Sequence, residues 1–290
     1  MTVIRHGLTV ADGAAAAALR ARLAASPIAL TRATFDGLFE HVPAADLVNY
    51  SGSSVGGVPG VWCAPTAHRA AAALLYLHGG GFVYGSARAF RHLVGQIVAR
   101  TGVPAFIADY RLAPEHPFPA ALDDARAAYR ALADQFGAGR VALVGDSAGG
   151  GLALALLEEE PSAPCGVLLS PWTDLALTGE SIESKAAEDP VLTRAALEAG
   201  AGQYVGAHDR RDPRVSPLYG RTRGTPPIQV HVGTAEILLD DSLRLGPNDR
   251  VEVHAWEGMT HVFPSSIGLF EAARSAHDLI AAFLRAELAI

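Results

Sequence analysis

A serine in a turn of small residues is the strongest candidate for chemistry in this chain. The segment Gly145-Asp146-Ser147-Ala148-Gly149 matches the pattern Gly-x-Ser-x-Gly. It follows the apolar run Val141–Val144 and precedes the helix-period segment Gly150–Leu157. A strand-to-helix elbow raises the serine hydroxyl above a sheet and directs the free N–H groups of the helix N-terminus to the same point. We therefore predict that Ser147 is a nucleophile.

The same pattern occurs a second time, at Gly52-Ser53-Ser54-Val55-Gly56. No helical period follows it, and the surrounding residues read as a loop rich in glycine and serine. Ser54 therefore lacks the context that an elbow requires.

A run of three glycines follows the apolar segment Ala72–Leu77. In His78-Gly79-Gly80-Gly81-Phe82, the glycines allow a sharp turn and let backbone N–H groups approach a substrate closely. Acyl transfer needs such donors at the developing oxyanion. A dinucleotide loop is excluded because Tyr84 occupies the position of its last glycine. We expect His78 to order the loop by hydrogen bonds rather than to act as a base.

Three segments together carry a family likeness: His78–Gly81, Tyr110–Glu115 and Gly145–Gly150. In this order they resemble the hormone-sensitive-lipase-like group of α/β-hydrolase carboxylesterases, from about residue 60 to the C-terminus. The resemblance implies an α/β-hydrolase core with a helical cap and a serine carboxylesterase acting on short- to medium-chain acyl esters through an acyl-enzyme. It also implies that no cofactor is needed.

The resemblance also assigns roles to individual backbone groups. By position, the N–H groups of Gly80, Gly81 and Ala148 form the oxyanion hole. The segment Tyr110–Glu115 is similar to a structural brace beside the glycine loop and receives no catalytic role.

The base and the acid come later in the chain, since this fold orders them as serine, acid, histidine. His261 lies in a loop past the last predicted strand and is the expected base. The acid is either Glu236, which the position favours, or Asp240, four residues later. The family usually has aspartate here, and some members resemble this chain in using glutamate.

Composition excludes several other kinds of chemistry. Lys185 is the only lysine and lies in a polar run. This position is unsuited to chemistry that needs a buried lysine, such as a Schiff base or a pyridoxal site. The two cysteines, Cys63 and Cys165, form neither a disulfide framework nor a four-ligand zinc site, and no metal is expected. With a net charge of −7 and no basic block, the chain is a poor nucleic-acid binder. We read no signal peptide and no membrane span, and we expect a cytoplasmic protein.

Short apolar runs alternate with helix-period segments, which indicates an α/β fold with a mostly parallel sheet flanked by helices. The predicted strands are Gly60–Ala64, Ala72–His78, Val103–Asp109, Val141–Gly145, Cys165–Ser170, Ile228–Gly233 and Val251–Ala255. The predicted helices are Ala87–Arg100, Pro119–Gln135, Ala148–Glu158 and Phe270–Glu287.

The chain divides into a hydrolase core and a cap. Residues 1–50 are predicted to be N-terminal cap helices, and residues 173–222 to be a cap insertion with a helix at Thr193–Val205. The core comprises residues 51–172 and 223–290. Aromatic and apolar residues that could line a pocket, or simply pack, are Phe35, Phe39, Val83, Tyr84, Trp172 and Tyr204.

Two alternatives stay open at this point. The same triad serves an amidase, a lactonase or a deacetylase of a specific metabolite. Gibberellin receptors resemble this family without catalysing a reaction, but they lack the histidine that His261 provides here.

The expected binding partner is a small-molecule ester substrate, and the protein is expected to be a monomer or a homodimer.

Overall fold

A computed structural model describes residues 1–25, 30–67, 71–220, 224–246 and 250–290. Within these residues, a sheet of nine strands has the order β1-β9-β8-β7-β6-β4-β5-β3-β2. Its strands are β1 (Thr2–His6), β2 (Val48–Val55), β3 (Val58–Pro65), β4 (Ala73–Leu77), β5 (Ala105–Ala108), β6 (Val141–Asp146), β7 (Gly166–Leu169), β8 (Ile228–Gly233) and β9 (Val251–Trp256). Two of the strand pairs, β2 with β3 and β3 with β5, are antiparallel, and the other pairs are parallel.

Helices cover both faces of this sheet. They are α1 (Val10–Ala25), α2 (Arg32–Gly37), α3 (Ala87–Thr101), α4 (Ala120–Phe136), α5 (Ser147–Glu159), α6 (Ser181–Ser184), α7 (Arg194–Val205), α8 (Leu239–Leu243) and α9 (Glu271–Glu287). All seven predicted strands and all four predicted core helices are present. The helix predicted at Thr193–Val205 is α7, with the Thr193 hydroxyl accepting a hydrogen bond from Ala196 N–H as its N-cap.

The alternation of side chains along the buried strands builds two cores. In β4, Leu75 and Leu77 join the core under α4 and α5, while Leu74 and Tyr76 join the core under α3 and α9. Successive residues of a strand face opposite sides of a sheet, so a fully apolar strand needs helices on both. This arrangement leaves the carboxyl edge of the parallel strands free for the loops that follow β4, β6, β7, β8 and β9.

The prediction of cap helices over residues 1–50 is wrong at both ends of that range, since residues 48–50 begin β2 and residues 2–6 form another strand. Thr2–His6 forms β1, which pairs in parallel with β9 at the sheet edge. The α1 carboxylate Asp12 accepts hydrogen bonds from the N–H groups of Glu271 and Ala272 at the start of α9 (2.7 and 3.0 Å). These contacts place β1 and α1 with the core. A strand of five residues at a sheet edge is too short to show a clear periodic pattern. Its partner strand, which defines it, lies about 250 residues away in the sequence.

The second Gly-x-Ser-x-Gly match is also different from its prediction. Gly52–Gly56 is not a loop, since Ser54 lies in β2, paired antiparallel with β3. The turn between the two strands is Gly56-Gly57, and both glycines have positive φ (+60° and +81°). Paired glycines of this kind suit a two-residue hairpin turn. An edge strand offers Ser54 no helix N-terminus, so its exclusion as a nucleophile stands.

Among the described helices, none has both the length and the apolar character that a membrane crossing requires. Residues 221–223, where the cap insertion is predicted to end, lie outside the described residues.

Candidate active site

Ser147 occupies a sharp turn between β6 and α5. It is the first residue of α5 and has φ +52°, a left-handed backbone conformation that residues other than glycine rarely adopt. Glycine is required on both sides of Ser147 for steric reasons. A Cβ at Gly145 would collide with the Gly149 carbonyl oxygen, and a Cβ at Gly149 would collide with the Leu77 carbonyl oxygen. The strained turn therefore requires small neighbours, and it holds the serine at the edge of the sheet.

The loop after β9 brings a histidine to this serine. The Oγ of Ser147 lies 2.9 Å from Nε2 of His261, within hydrogen-bond distance. The other ring nitrogen, Nδ1, lies 3.3 Å from Oε1 of Glu236. These contacts join residues from three loops at the carboxyl edge of the sheet into one chain of hydrogen bonds.

Of the two candidate acids, the structure brings Glu236 to His261. Its side chain is fully buried, and Oε2 accepts hydrogen bonds from the Ser170 hydroxyl (2.8 Å) and the Gly233 N–H (3.2 Å). Asp240 lies one helical turn further on and accepts a hydrogen bond from the Ser181 N–H of α6 (2.9 Å). Its carboxylate therefore ties the insertion to α8.

The surroundings of His261 favour its protonated form. Burial lowers the pKa of this imidazole, but the hydrogen bond to Glu236 and the negative charges of Glu236, Asp189 and Asp146 raise it. The net effect is a pKa above the ordinary histidine value. Such an imidazole is a better proton acceptor than a free one.

The glycine loop lies against the elbow and is fixed to it by a buried carboxylate. Asp146 Oδ1 accepts hydrogen bonds from the Gly79 N–H (2.9 Å) and from the Tyr76 hydroxyl (2.8 Å). Gly80 and Gly81 have φ of +119° and +61°, which explains why the turn needs glycine. Burial raises the pKa of Asp146 to about 7, although both hydrogen bonds oppose that shift. Asp146 is therefore a supporting residue that the sequence pattern does not predict.

His78 orders the loop, as predicted. Its Nδ1 lies 2.8 Å from the Gly79 carbonyl oxygen, and its ring stacks on Tyr110 with 4.4 Å between centroids. The Tyr110 hydroxyl in turn donates a hydrogen bond to the His78 carbonyl (2.6 Å). The predicted brace therefore contacts the loop through Tyr110, and also through Ala113, whose N–H bonds the Phe82 carbonyl.

The insertion covers the glycine loop. A Cβ at Gly200 of α7 would lie 3.2 Å from the Gly81 carbonyl oxygen, and Tyr204 stacks on Phe82 with 3.8 Å between ring centroids. Arg32 of α2 donates a hydrogen bond from Nε to the Val83 carbonyl (3.0 Å). The α7 and α2 helices therefore close around the loop.

Several of the candidate pocket residues turn out to be packing residues. Trp172 and Tyr204 are fully buried in the core under α4 and α5. Phe39 packs on Phe90 of α3, with 4.0 Å between ring centroids. Phe35 and Tyr84 stack on each other and stay partly exposed, so they remain candidates for lining a pocket.

In the described part of the chain, no group of three or more His, Cys, Asp or Glu side chains is arranged to hold a metal ion.

Comparison with known proteins gives consistent matches. A family model described as the alpha/beta hydrolase fold matches residues 74–265. An acetyl-hydrolase of Streptomyces hygroscopicus is 38% identical over 255 residues, which cover 84% of this chain and 83% of that protein. An ethyl acetate hydrolase of Pseudomonas putida is 41% identical over 163 residues, covering 52% and 51% of the two chains.

Solved structures extend the likeness to nearly the whole chain. An esterase of the bacterial hormone-sensitive lipase family superposes with a TM-score of 0.90 at 35% identity, covering 97% of this chain and 99% of that one. A hormone-sensitive lipase homologue from a metagenome library superposes with a TM-score of 0.89 at 35% identity, covering 94% and 97%.

Proposed function

The chain belongs to the α/β-hydrolase family and is a carboxylic ester hydrolase of the hormone-sensitive-lipase group, and from this premise we propose that Ser147, His261 and Glu236 are its catalytic triad. The observation that carries the proposal is the continuous contact from Ser147 Oγ through both nitrogens of His261 to Glu236 Oε1. A gibberellin-type receptor lacks the histidine that makes this contact.

In the first half of the reaction, Ser147 Oγ attacks the ester carbonyl carbon while His261 Nε2 takes the serine proton. Glu236 accepts the Nδ1–H bond, which fixes the tautomer with a free Nε2 and stabilises the imidazolium that forms. The same Nε2 proton then passes to the departing alcohol. The products of this half are the free alcohol and an acyl ester on Ser147.

The oxyanion formed in each half-reaction needs donors on the side opposite His261. We assign this role to the N–H groups of Gly80, Gly81 and Ala148. Ala148 lies in the first turn of α5, where backbone N–H groups have no partner within the helix. Asp146 supports the assignment, because its bond to the Gly79 N–H holds the loop against the elbow.

In the second half, water takes the place of the alcohol. His261 removes a proton from the water, the hydroxide attacks the acyl carbon, and the proton returns to Ser147 as the acid leaves. No further group is required, so the reaction needs only side chains and backbone N–H groups of this chain.

We propose that the preferred esters have short to medium acyl chains. The names of two relatives, an acetyl-hydrolase and an ethyl acetate hydrolase, point to small acyl groups in those proteins. The reacting groups here are recessed, with Ser147 8% exposed and the His261 side chain 6% exposed. Rates on p-nitrophenyl esters from acetate to palmitate test this proposal, and a maximum at palmitate, a long-chain ester, would contradict it.

The triad assignment is tested on the same ester series with Ser147→Ala. The variant should lose several orders of magnitude in kcat while its thermal unfolding stays that of a folded protein. A matched Ser54→Ala variant removes the serine of the second Gly-x-Ser-x-Gly segment and should keep full activity. Equal losses in both variants would contradict the assignment.

A cytoplasmic location and a monomeric or homodimeric state are further proposals. Both cysteines are buried and unpaired, and burial raises the pKa of the Cys63 thiol to about 12. This favours a protein that functions with reduced, unreactive thiols. Cell fractionation and light scattering on the purified protein would test the two proposals.

A further inference from the structure

A second serine lies behind the proposed triad. Ser170 directly follows β7, is fully buried, and has φ +45°. Its N–H donates a hydrogen bond to the His231 carbonyl of β8 (2.8 Å). Glycine would adopt this backbone conformation with less strain than serine. What serine adds at this position is a hydroxyl group.

That hydroxyl contacts the loops of both the acid and the base. Ser170 Oγ donates a hydrogen bond to Glu236 Oε2 (2.8 Å) and accepts one from the N–H of Val262 (3.0 Å), the residue after His261. The direction of each bond is forced. A backbone N–H only donates and an ionised carboxylate only accepts, so the single hydroxyl proton points to Glu236.

We propose that Ser170 is a positioning residue, whose hydroxyl holds the Glu236 carboxylate and the His261 loop in register with each other. The inference rests on the triad proposed above and deepens it.

The geometry explains why such a group is needed. A glutamate side chain has one more rotatable bond than aspartate, and its two oxygens can exchange places. The Ser170 hydroxyl and the Gly233 N–H both hold Oε2, which leaves Oε1 to face His261 Nδ1 at 3.3 Å. A bond to a charged acceptor is about twice as strong as one between neutral groups.

The same hydroxyl steadies the other side of the contact. Val262 has φ +49°, a left-handed conformation that is strained for a β-branched residue. The Val262 N–H donates a hydrogen bond to Ser170 Oγ directly after His261 in the chain. This bond stabilises the strained backbone that carries the base. Removing one hydroxyl therefore loosens the acid and the base together.

The first test compares three single variants. Ser170→Ala should lower kcat by about 10- to 100-fold with little change in KM, which is the range that losing a hydrogen bond to a charged group gives. Ser170→Gly removes the same hydroxyl but relieves the backbone strain, so it should lose as much kcat while keeping its unfolding temperature. In Ser242→Ala the control loses a buried hydroxyl that has no hydrogen-bond partner among the described residues, and kcat should not change.

The second test asks whether Ser170 acts through Glu236. In a Glu236→Ala background, adding Ser170→Ala should cost less than twofold further in kcat, because the carboxylate it positions is gone. In the pH profile of kcat/KM, the acid limb, where activity falls as the pH drops, should also move to lower pH in Ser170→Ala. The reason is that a displaced Glu236 raises the pKa of His261 less. A residue that only supports the fold would cost as much kcat in the Glu236→Ala background as in the wild-type protein, and it would leave the acid side of the pH profile where it is.

The outcomes separate the two proposals. Full additivity of Ser170→Ala with Glu236→Ala, or an unmoved acid limb, would overturn the positioning role even if Glu236→Ala is inactive. Near-normal activity of Ser147→Ala or Glu236→Ala would instead overturn the triad itself. If Ser170→Ala fails to fold, Ser170→Gly carries the same comparison.

Discussion

The choice of Glu236 rather than Asp240 as the triad acid leads to a quantitative prediction for Glu236→Gln. As Ser147 attacks, His261 becomes an imidazolium whose Nδ1 lies 3.3 Å from the Glu236 carboxylate. With an effective dielectric constant of about 20, two unit charges at that distance attract by about 5 kcal/mol. A neutral amide loses this attraction and also permits the wrong imidazole tautomer. Because 1.4 kcal/mol is a factor of ten, kcat should fall by about 10³- to 10⁴-fold.

The assay is steady-state hydrolysis of p-nitrophenyl acetate by purified variants, with thermal unfolding recorded for each. Asp240→Asn is the matched control. The Asp240 carboxylate bonds the Ser181 N–H, and an amide oxygen accepts the same bond, so kcat should stay within a few-fold of wild type. A folded Glu236→Gln protein with near wild-type kcat, or an Asp240→Asn protein with the larger loss, would refute the assignment.

Three further predictions concern His261, the glycine loop and Asp12. Since the pKa of His261 is raised, kcat/KM should fall as the pH drops through a midpoint above about 6.5, and a flat profile from pH 5 to 8 would exclude a histidine base. Gly80→Ala should lower kcat/KM more than 100-fold, because its Cβ would collide with the Tyr84 carbonyl oxygen at φ +119°. Gly81→Ala meets backbone strain at φ +61° but no atom within 4 Å of its Cβ, so it should lose less, and ester kinetics on both variants would check this. Asp12→Ala should reduce the free energy of unfolding in urea by about 2 kcal/mol with kcat/KM unchanged, because it removes two bonds to the start of α9.

The parts of the site that the sequence predicts are those encoded locally. The elbow at Ser147 is a strand, a turn of small residues and a helix in one continuous segment, so the pattern and its context are visible together. The glycine loop is visible for the same reason. His261 follows from its place after the last strand together with the family likeness.

The choice of acid depends on side-chain direction, which the sequence does not encode. Glu236 and Asp240 lie four residues apart after the same strand. In the structure Glu236 enters the buried space beside Ser170, while Asp240 lies in the first turn of α8 and bonds the Ser181 N–H. Either residue type could serve as the acid, so only the path of the chain between them separates the two.

Supporting residues were missed because their partners are distant in sequence. Ser170 bonds groups 66 and 92 residues further along the chain, and Asp146 bonds Gly79, 67 residues earlier. Their only local signals are a serine at a strand end and an acid before the nucleophile. The edge strands β1 and β2 were missed for a related reason, since pairing with a distant or antiparallel partner compensates for a weak apolar pattern.

In the proposed reaction Ser147 carries the acyl group. The most direct test of this role is peptide mass spectrometry after reaction with a fluorophosphonate, which transfers its phosphonyl group to an activated serine. We predict one stoichiometric adduct, located on Ser147, together with full loss of esterase activity, and no adduct in His261→Ala under the same conditions. An adduct on another residue, or complete inactivation with Ser147 unmodified, would contradict the role of Ser147 as the nucleophile.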